Sequence, residues 1–279
     1  MKKALLVYLT MALGFSAQAN DRFANVKIEA KQIKPSLYML KGAGGNIGAL
    51  VGADGILLVD DQFEPLAAKI EQAVFDLTEQ KKKVTYVVNT HYHGDHTGSN
   101  VYFSKSASVI AHENVRKRLS VRSKQGLPVI TYQGGVKLHL NDQTVDVKHL
   151  AAGHTDGDSV IYFEQANVWH LGDLFFESRF PYVDLKSGGT VQGYLANLET
   201  LHARINDEAL IIPGHGELTN KAGLAKKIAM IKATKAEVDK MKQAGLTLEQ
   251  AIAKGLSKQW QDWRWSFITE PKWITTLYQ

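Results

Sequence analysis

The sequence predicts an α+β fold in which β-sheets are covered by helices within one compact unit. Three observations carry that reading. Short β-branched runs recur along the chain and are interrupted by amphipathic helical segments. Neither an internal repeat nor a linker rich in Pro, Gly or Ser divides them. Of the 279 residues, 44% are hydrophobic and 22% charged. That is enough for a sizeable core, and it excludes a disordered, fibrous or multi-span membrane chain.

Residues 1–19 read as an export signal. Lys2 and Lys3 lead a mostly apolar run over 4–16, too short to cross a bilayer, and Ala17-Gln18-Ala19 is a small-x-small cleavage site. The expectation is cleavage after Ala19, a periplasmic or secreted location, no stable membrane anchor, and one domain over 20–279. Losing Lys2 and Lys3 lowers the formal charge from +5 to +3. With Lys and Arg scattered, nucleic acid is not an expected partner.

Strands are predicted at 37–40, 47–51, 55–59 and 84–89. Between them, 64–80 carries Leu66, Ile70, Val74 and Leu77 at helical spacing. Short helices follow at 97–103 and 113–121 around a strand at 108–112. The stretch 125–135, with Gly126, Pro128, Gly134 and Gly135, reads as a loop. Further strands are expected at 136–140, 145–150, 159–163, 168–171 and 209–212. A helix at 191–206 places Leu195, Leu198, Leu201 and Ile205 on one face. The tail continues the stripe with Leu224, Ile228, Ile231, Val238 and Met241, and Gly245 stops it. Thr247 and Gln250 have capping-box spacing for one more short helix.

The histidines concentrate at strand ends. His91-Tyr92-His93-Gly94-Asp95-His96 packs four potential metal ligands into six residues, directly after a buried strand. In extended backbone His91 and His93 point to one side, and Gly94 is expected to let the chain turn so that Asp95 and His96 join them. Four ionisable groups gathered without a cation would repel or desolvate one another. Gly153-His154-Thr155, Gly172-Asp173 and Pro213-Gly214-His215-Gly216 also follow strands and supply further ligands. Cysteine is absent, so any zinc must be held by His and carboxylates.

The ordered series H-x-H-x-D-H, G-H-T, G-D and P-G-H-G resembles the metallo-β-lactamase superfamily over roughly residues 37–217. The resemblance implies an αββα sandwich of two mixed sheets flanked by helices, with metals at one edge. It implies that His91, His93 and His154 hold one metal, that Asp95, His96 and His215 hold a second, and that Asp173 bridges them. Two Zn2+ ions are expected, and the ligand set also admits iron or manganese. A hydroxide shared by the two metals would attack the substrate, with Asp95 orienting the water as a catalytic group. No covalent enzyme intermediate is expected, since neither Cys nor a G-x-S-x-G elbow is present. His93 stands where the superfamily's di-iron oxygen-reducing members have Glu, which favours hydrolysis over redox chemistry.

The expected partner is a small-molecule substrate; the oligomeric state stays open. The best-known zinc β-lactamases have a metal-binding Cys at the position of Asp173 and a substrate-binding Lys at that of Phe176. Asp173 resembles instead the lactonases and glyoxalase-type thioesterases. The reading is an exported dinuclear zinc hydrolase of a cyclic amide or ester, with at most modest β-lactamase activity. The alternatives are a lactonase or thioesterase and, behind them, a metal-dependent nuclease. Arg179 or Lys186 could stand in for the β-lactamase lysine in taking a substrate carboxylate, but both read first as solvated surface charges. Asn46 and the 125–135 loop read as pocket borders or as plain turns, and the aromatics of 260–265 as core or interface, outside the site.

Overall fold

A computed structural model describes residues 21–78 and 82–279. The predicted export signal, and residues 79–80 of the predicted 64–80 helix, lie outside the described residues; that helix is shorter than expected, a 3-10 turn at Glu64–Leu66 followed by an α-helix that ends at Asp76. One sheet holds seven strands in chain order: β1 Glu29–Lys34, β2 Leu37–Lys41, β3 Ile47–Gly52, β4 Gly55–Val59, β5 Val84–Val88, β6 Ser108–His112 and β7 Ile130–Tyr132. Its first pairings are antiparallel, and those from β4 to β7 are parallel. The second sheet holds β8 Gly135–Leu140, β9 Gln143–His149, β10 Ser159–Phe163, β11 Val168–His170, β12 Leu210–Ile212 and β13 Thr219–Asn220. It is ordered β13-β12-β11-β10-β9-β8, and only β11 and β12 pair in parallel.

Helices cover both outer faces. They are α1 Asp21–Ala24, α2 Ala67–Asp76, α3 Gly94–Thr97, α4 Asn100–Phe103, α5 Glu113–Arg122, α6 Val191–Arg204, α7 Lys221–Gln243, α8 Leu248–Lys254 and α9 Glu270–Tyr278. The period-two alternation of strand side chains builds the layers. In β4, Leu57 and Val59 face the second sheet, where they meet Val145, Val147, Ile161 and Phe163. Ile56 and Leu58 face the other way, onto Ile70 and Val74 of α2 and Phe103 of α4. On the far side, Trp169 and Ile211 pack under Leu198 and Leu201 of α6 and Leu224, Ile231 and Val238 of α7. The result is the αββα sandwich of two mixed sheets expected above.

Three strands and three helices depart from the expected set: α1 and α9 were not expected, and α3 at Gly94–Thr97 precedes a shortened α4 where one helix over 97–103 was expected. β1 is an edge strand with four exposed residues and no apolar alternation, β7 is a three-residue edge strand inside the predicted loop, and β13 has two residues. Thr269 caps the start of α9, its hydroxyl accepting from Lys272 N–H, with Pro271 in the first turn. The capping box of Thr247 and Gln250 forms as expected, and Gly245 takes φ 75° behind α7.

Candidate metal centre

The site is built from loops that leave strands along one edge of the sandwich. β5 runs into Asn89-Thr90-His91, β9 leads to His154, β11 to Asp173 and β12 to His215. Ser159 N–H donates to Thr90 C=O, and Asn46 N–H to Gly214 C=O, tying the edges together. The buried Asn46 side chain donates to Pro213 C=O and Gly216 C=O. It therefore fixes the His215 loop and does not border the cavity. The approach is close: a Cβ on Gly214 would lie 2.1 Å from Asp173 Oδ1, and one on Gly45 2.1 Å from His96 Cε1. The local turn after His93 differs from the expectation. Residues 94–97 form one helical turn, Gly94 is not among the positive-φ glycines, and a Cβ there would meet nothing. The helical turn, with no special freedom at Gly94, brings Asp95 and His96 round.

All seven side chains singled out in the sequence converge. His91, His93, His154 and Asp173 form one group, and Asp95, His96 and His215 a second, with the potential ligand atoms of each group within 4.8 Å of one another. His93 Nδ1 and His154 Nε2 are 2.9 Å apart. Asp173 stands between the groups. Its Oδ2 lies 3.7 Å from His91 Nε2 and 3.4 Å from His154 Nε2. Its Oδ1 lies 3.2 Å from His96 Nε2 and 3.3 Å from His215 Nε2. Asp95 Oδ2 is 3.6 Å from His96 Nε2 and 3.3 Å from His215 Nε2.

The imidazoles are aimed by their other nitrogens. Asp60 Oδ2 takes His96 Nδ1 at 2.7 Å, Asp184 Oδ2 takes His93 Nε2 at 3.0 Å, and Tyr182 C=O takes His154 Nδ1 at 2.7 Å. Such outer partners fix the tautomer and raise the basicity of a ligating histidine. Asp60 and Asp184 had not been singled out as site residues. Asp60 follows the buried β4 run in the left-handed region (φ 65°) and also holds Thr90 N–H and hydroxyl. An acid directly after an apolar strand was the available signal. Asp184 also accepts from the Tyr92 hydroxyl at 2.8 Å.

Electrostatics separates the two groups. Burial pulls His91 well below the ordinary imidazole value, with His96 adding to the effect. Burial likewise pulls His154 down to about 4, against the pull of Asp173. In the second group burial opposes protonation, but the carboxylates of Asp173, Asp95 and Asp60 outweigh it and raise His96 well above its usual range. Asp173 and Asp95 raise His215 to about 9 in the same way. Burial works against ionisation of Asp173, yet His96 and His215 hold it well below the usual carboxylate range. His91 Nε2 and Asp173 Oδ1 are buried with no hydrogen-bond partner. Buried polar atoms are normally satisfied, so two orphans aimed into a nest of imidazoles and carboxylates fit a cation on each side of Asp173.

A cavity of about 890 Å³ opens over the centre, bordered by His93, Asp95, Asp173 and His215. Phe176, at the position compared with a β-lactamase lysine, is buried and stacks on the His215 ring at 5.1 Å. Two expectations need correction. Arg179 and Lys186 line this cavity and are not merely solvated surface charges. Trp265 packs on the helical core with Trp260 and Trp263, as expected, but it also lines the cavity, 5.9 Å from the His215 ring, and so is not outside the site. Arg122 and Phe267 are cavity residues that the sequence did not mark. The 125–135 loop is absent from its wall.

A profile of the metallo-β-lactamase superfamily matches residues 41–215. The chain belongs to the metallo-β-lactamase superfamily. It is 24% identical over 181 residues to a type 2 metallo-β-lactamase from Bacillus sp. strain 170, covering 64% of this chain and 69% of that one. It is 31% identical over 144 residues to a hydroxyacylglutathione hydrolase from a Polaromonas species, covering 50% and 51%. Among solved structures, a metallo-β-lactamase from Pontibacter korlensis superposes with a TM-score of 0.64 at 18% identity, covering 74% of this chain and 99% of that one. The DIM-1 metallo-β-lactamase gives 0.65 at 17%, covering 75% and 99%. These structures share the fold, and superfamily homologues are metal-dependent hydrolases. The chain is such a hydrolase, with a His/Asp metal site.

Proposed function

We propose that this chain is an exported, dinuclear zinc hydrolase, one domain over 20–279, that opens a cyclic amide or ester. One observation carries the dinuclear reading: the two oxygens of Asp173 face different groups, Oδ2 toward His91 and His154, Oδ1 toward His96 and His215. A single cation would leave one oxygen and its imidazoles unserved. Nitrogen and carboxylate donors without sulfur suit zinc, and iron or manganese after it. The two ions, when bound, supply a hydroxide at neutral pH and polarise the scissile carbonyl.

The chain's own groups do the rest. His91, His93 and His154 would hold one ion, and Asp95, His96 and His215 the other. Asp95, 26% exposed where Asp173 is 4%, is the carboxylate placed to accept the proton of the attacking water and orient it. Asp60 and Asp184 keep His96 and His93 aimed. Phe176 and Trp265 shield His215 from bulk water. The substrate enters as a small molecule, since the cavity is of ligand size. No helix among the described residues is long and apolar enough to cross a membrane. A thioester is the second reading, supported by the bridging Asp and the hydroxyacylglutathione hydrolase relative.

The test is metal analysis of zinc-loaded protein together with a panel of β-lactams, lactones, thioesters and phosphodiesters, on wild type and His91→Ala. Two zinc per chain and hydrolysis of β-lactams or lactones, abolished in the variant, is the expected result. Turnover of thioesters alone selects the second reading, and turnover of phosphodiesters alone overturns both. Export is checked by the N-terminal sequence of protein recovered from the periplasm or medium, expected to begin at Asn20.

A further inference from the structure

The cavity has a wall that the family match does not contain. The match ends at residue 215, yet Trp265, Ser266 and Phe267, from the tail between α8 and α9, line the opening over the metal centre. Trp265 and Phe267 meet edge to face at 5.5 Å, and Phe267 meets Tyr182 at 5.2 Å. Tyr182 in turn lies 5.6 Å from the His93 ring, and Trp265 lies 5.9 Å from His215. A continuous aromatic lip therefore runs from one metal group to the other.

The lip is held before any ligand arrives. Trp265 Nε1 donates to Phe180 C=O at 3.0 Å, and its backbone N–H to Ile268 C=O. Phe180 N–H donates back to Trp263 C=O. The facing loop is pinned from below by Lys227, a fully buried lysine whose Nζ donates to Phe176 C=O at 2.9 Å and to Arg179 C=O. Phe267 is nevertheless 48% exposed, one of only four large apolar side chains so exposed among the described residues. The Arg179 guanidinium stands 5.3 Å over the Trp265 ring, and the acid its charge reaches, Glu217, is itself paired with Lys41. A guanidinium laid on an aromatic face keeps its donor fork free for a planar anion.

We propose that this tail lip selects the substrate: a flat apolar group stacks on Trp265 and Phe267, and an adjacent carboxylate is taken by Arg179. The substrate class is thus an amphipathic acid with an aryl or similarly flat group near the scissile bond. The chemistry rests on the hydrolase reading above, whereas recognition rests on the cavity alone.

The experiment uses the zinc-loaded chain beside Phe267→Ala and Arg179→Gln. The panel above is run with each β-lactam, lactone and thioester as an aryl-bearing acid and as a neutral alkyl counterpart. Binding of phenylacetate, which has nothing to hydrolyse, is measured by calorimetry against neutral phenylacetamide. Each variant should reduce the preference for the aryl acid about tenfold, through KM and not kcat, as loss of one stacking or charge-assisted contact predicts. Both should weaken phenylacetate, and Arg179→Gln should remove its advantage over phenylacetamide. Hydrolysis with selectivity unchanged within about twofold in both variants overturns the lip and leaves the hydrolase reading standing. No hydrolysis, but phenylacetate binding that depends on Phe267 and Arg179, supports the lip and sinks the hydrolase reading. Because Phe267 is half exposed, its truncation leaves the core intact.

Discussion

His91 and His154 sit in a dry, imidazole-rich half of the centre, where burial holds both below the ordinary histidine value. His96 and His215 sit among Asp60, Asp95 and Asp173, and those carboxylates hold both above it. The same side chain is thus prepared in opposite protonation states a few ångströms apart. A cation entering the first half finds lone pairs already free. A cation entering the second must displace protons that the carboxylates favour, while gaining their charge in return. Under the proposed dinuclear reading, the difference predicts unequal affinities for the two halves, although nearly the same residue types build them.

The largest effect should come from removing what both halves share. Asp173→Ala deletes the one carboxylate that serves both groups. It should cost more than the roughly 10–100-fold that loss of an outlying partner costs, and lower bound zinc from two per chain to at most one. Retention of two zinc ions and near-normal kcat/KM would sink the bridging role.

Acidification should separate the halves next. His215, held to about 9, carries its proton at pH 7, so affinity for the second cation falls about tenfold per pH unit for each proton displaced. His154, pulled down to about 4, and His91, pulled well below its usual value, offer free lone pairs at pH 5, so the first cation should lose less affinity there. Titrating metal-free protein with zinc between pH 5 and 8 should show the weaker step moving more than the tighter one. Equal slopes for the two steps would remove the asymmetry.

The smallest and most selective effect concerns the outer carboxylates. Asp184→Asn should weaken the first cation about 10–100-fold through His93, and Asp60→Asn the second by a similar factor through His96. If either substitution weakened both steps equally, the halves would not be separable as described. Asp60→Asn should also lower thermal stability, because Asp60 is fully buried and holds the Thr90 backbone as well.

Much of this was written locally along the chain. The strands written as continuous apolar runs, such as 47–51 and 55–59, appear at or within a residue of their expected bounds, because burial on both faces demands such a run. All seven clustered residues were legible for a related reason. They lie at four strand exits, with glycine directly beside His93, Asp95, His154, Asp173 and His215, and a strand end is where a short loop can present ligands from a rigid support. The edge strands β1 and β7 were not legible, since an edge strand satisfies half its backbone with water and asks little of its side chains.

The sequence by itself determined the layered α+β architecture, the residue types of the centre and the strand exits that carry them. Tertiary structure alone decided the division of labour: which oxygen of Asp173 faces which group, which acids stand behind His93 and His96, and that Trp265, Phe267 and Arg179 share one cavity wall. The physical reason is range. Periodicity and turn chemistry act over a few neighbouring residues, whereas desolvation, charge pairing and ring packing depend on groups that the chain brings together only after the two sheets have closed on each other.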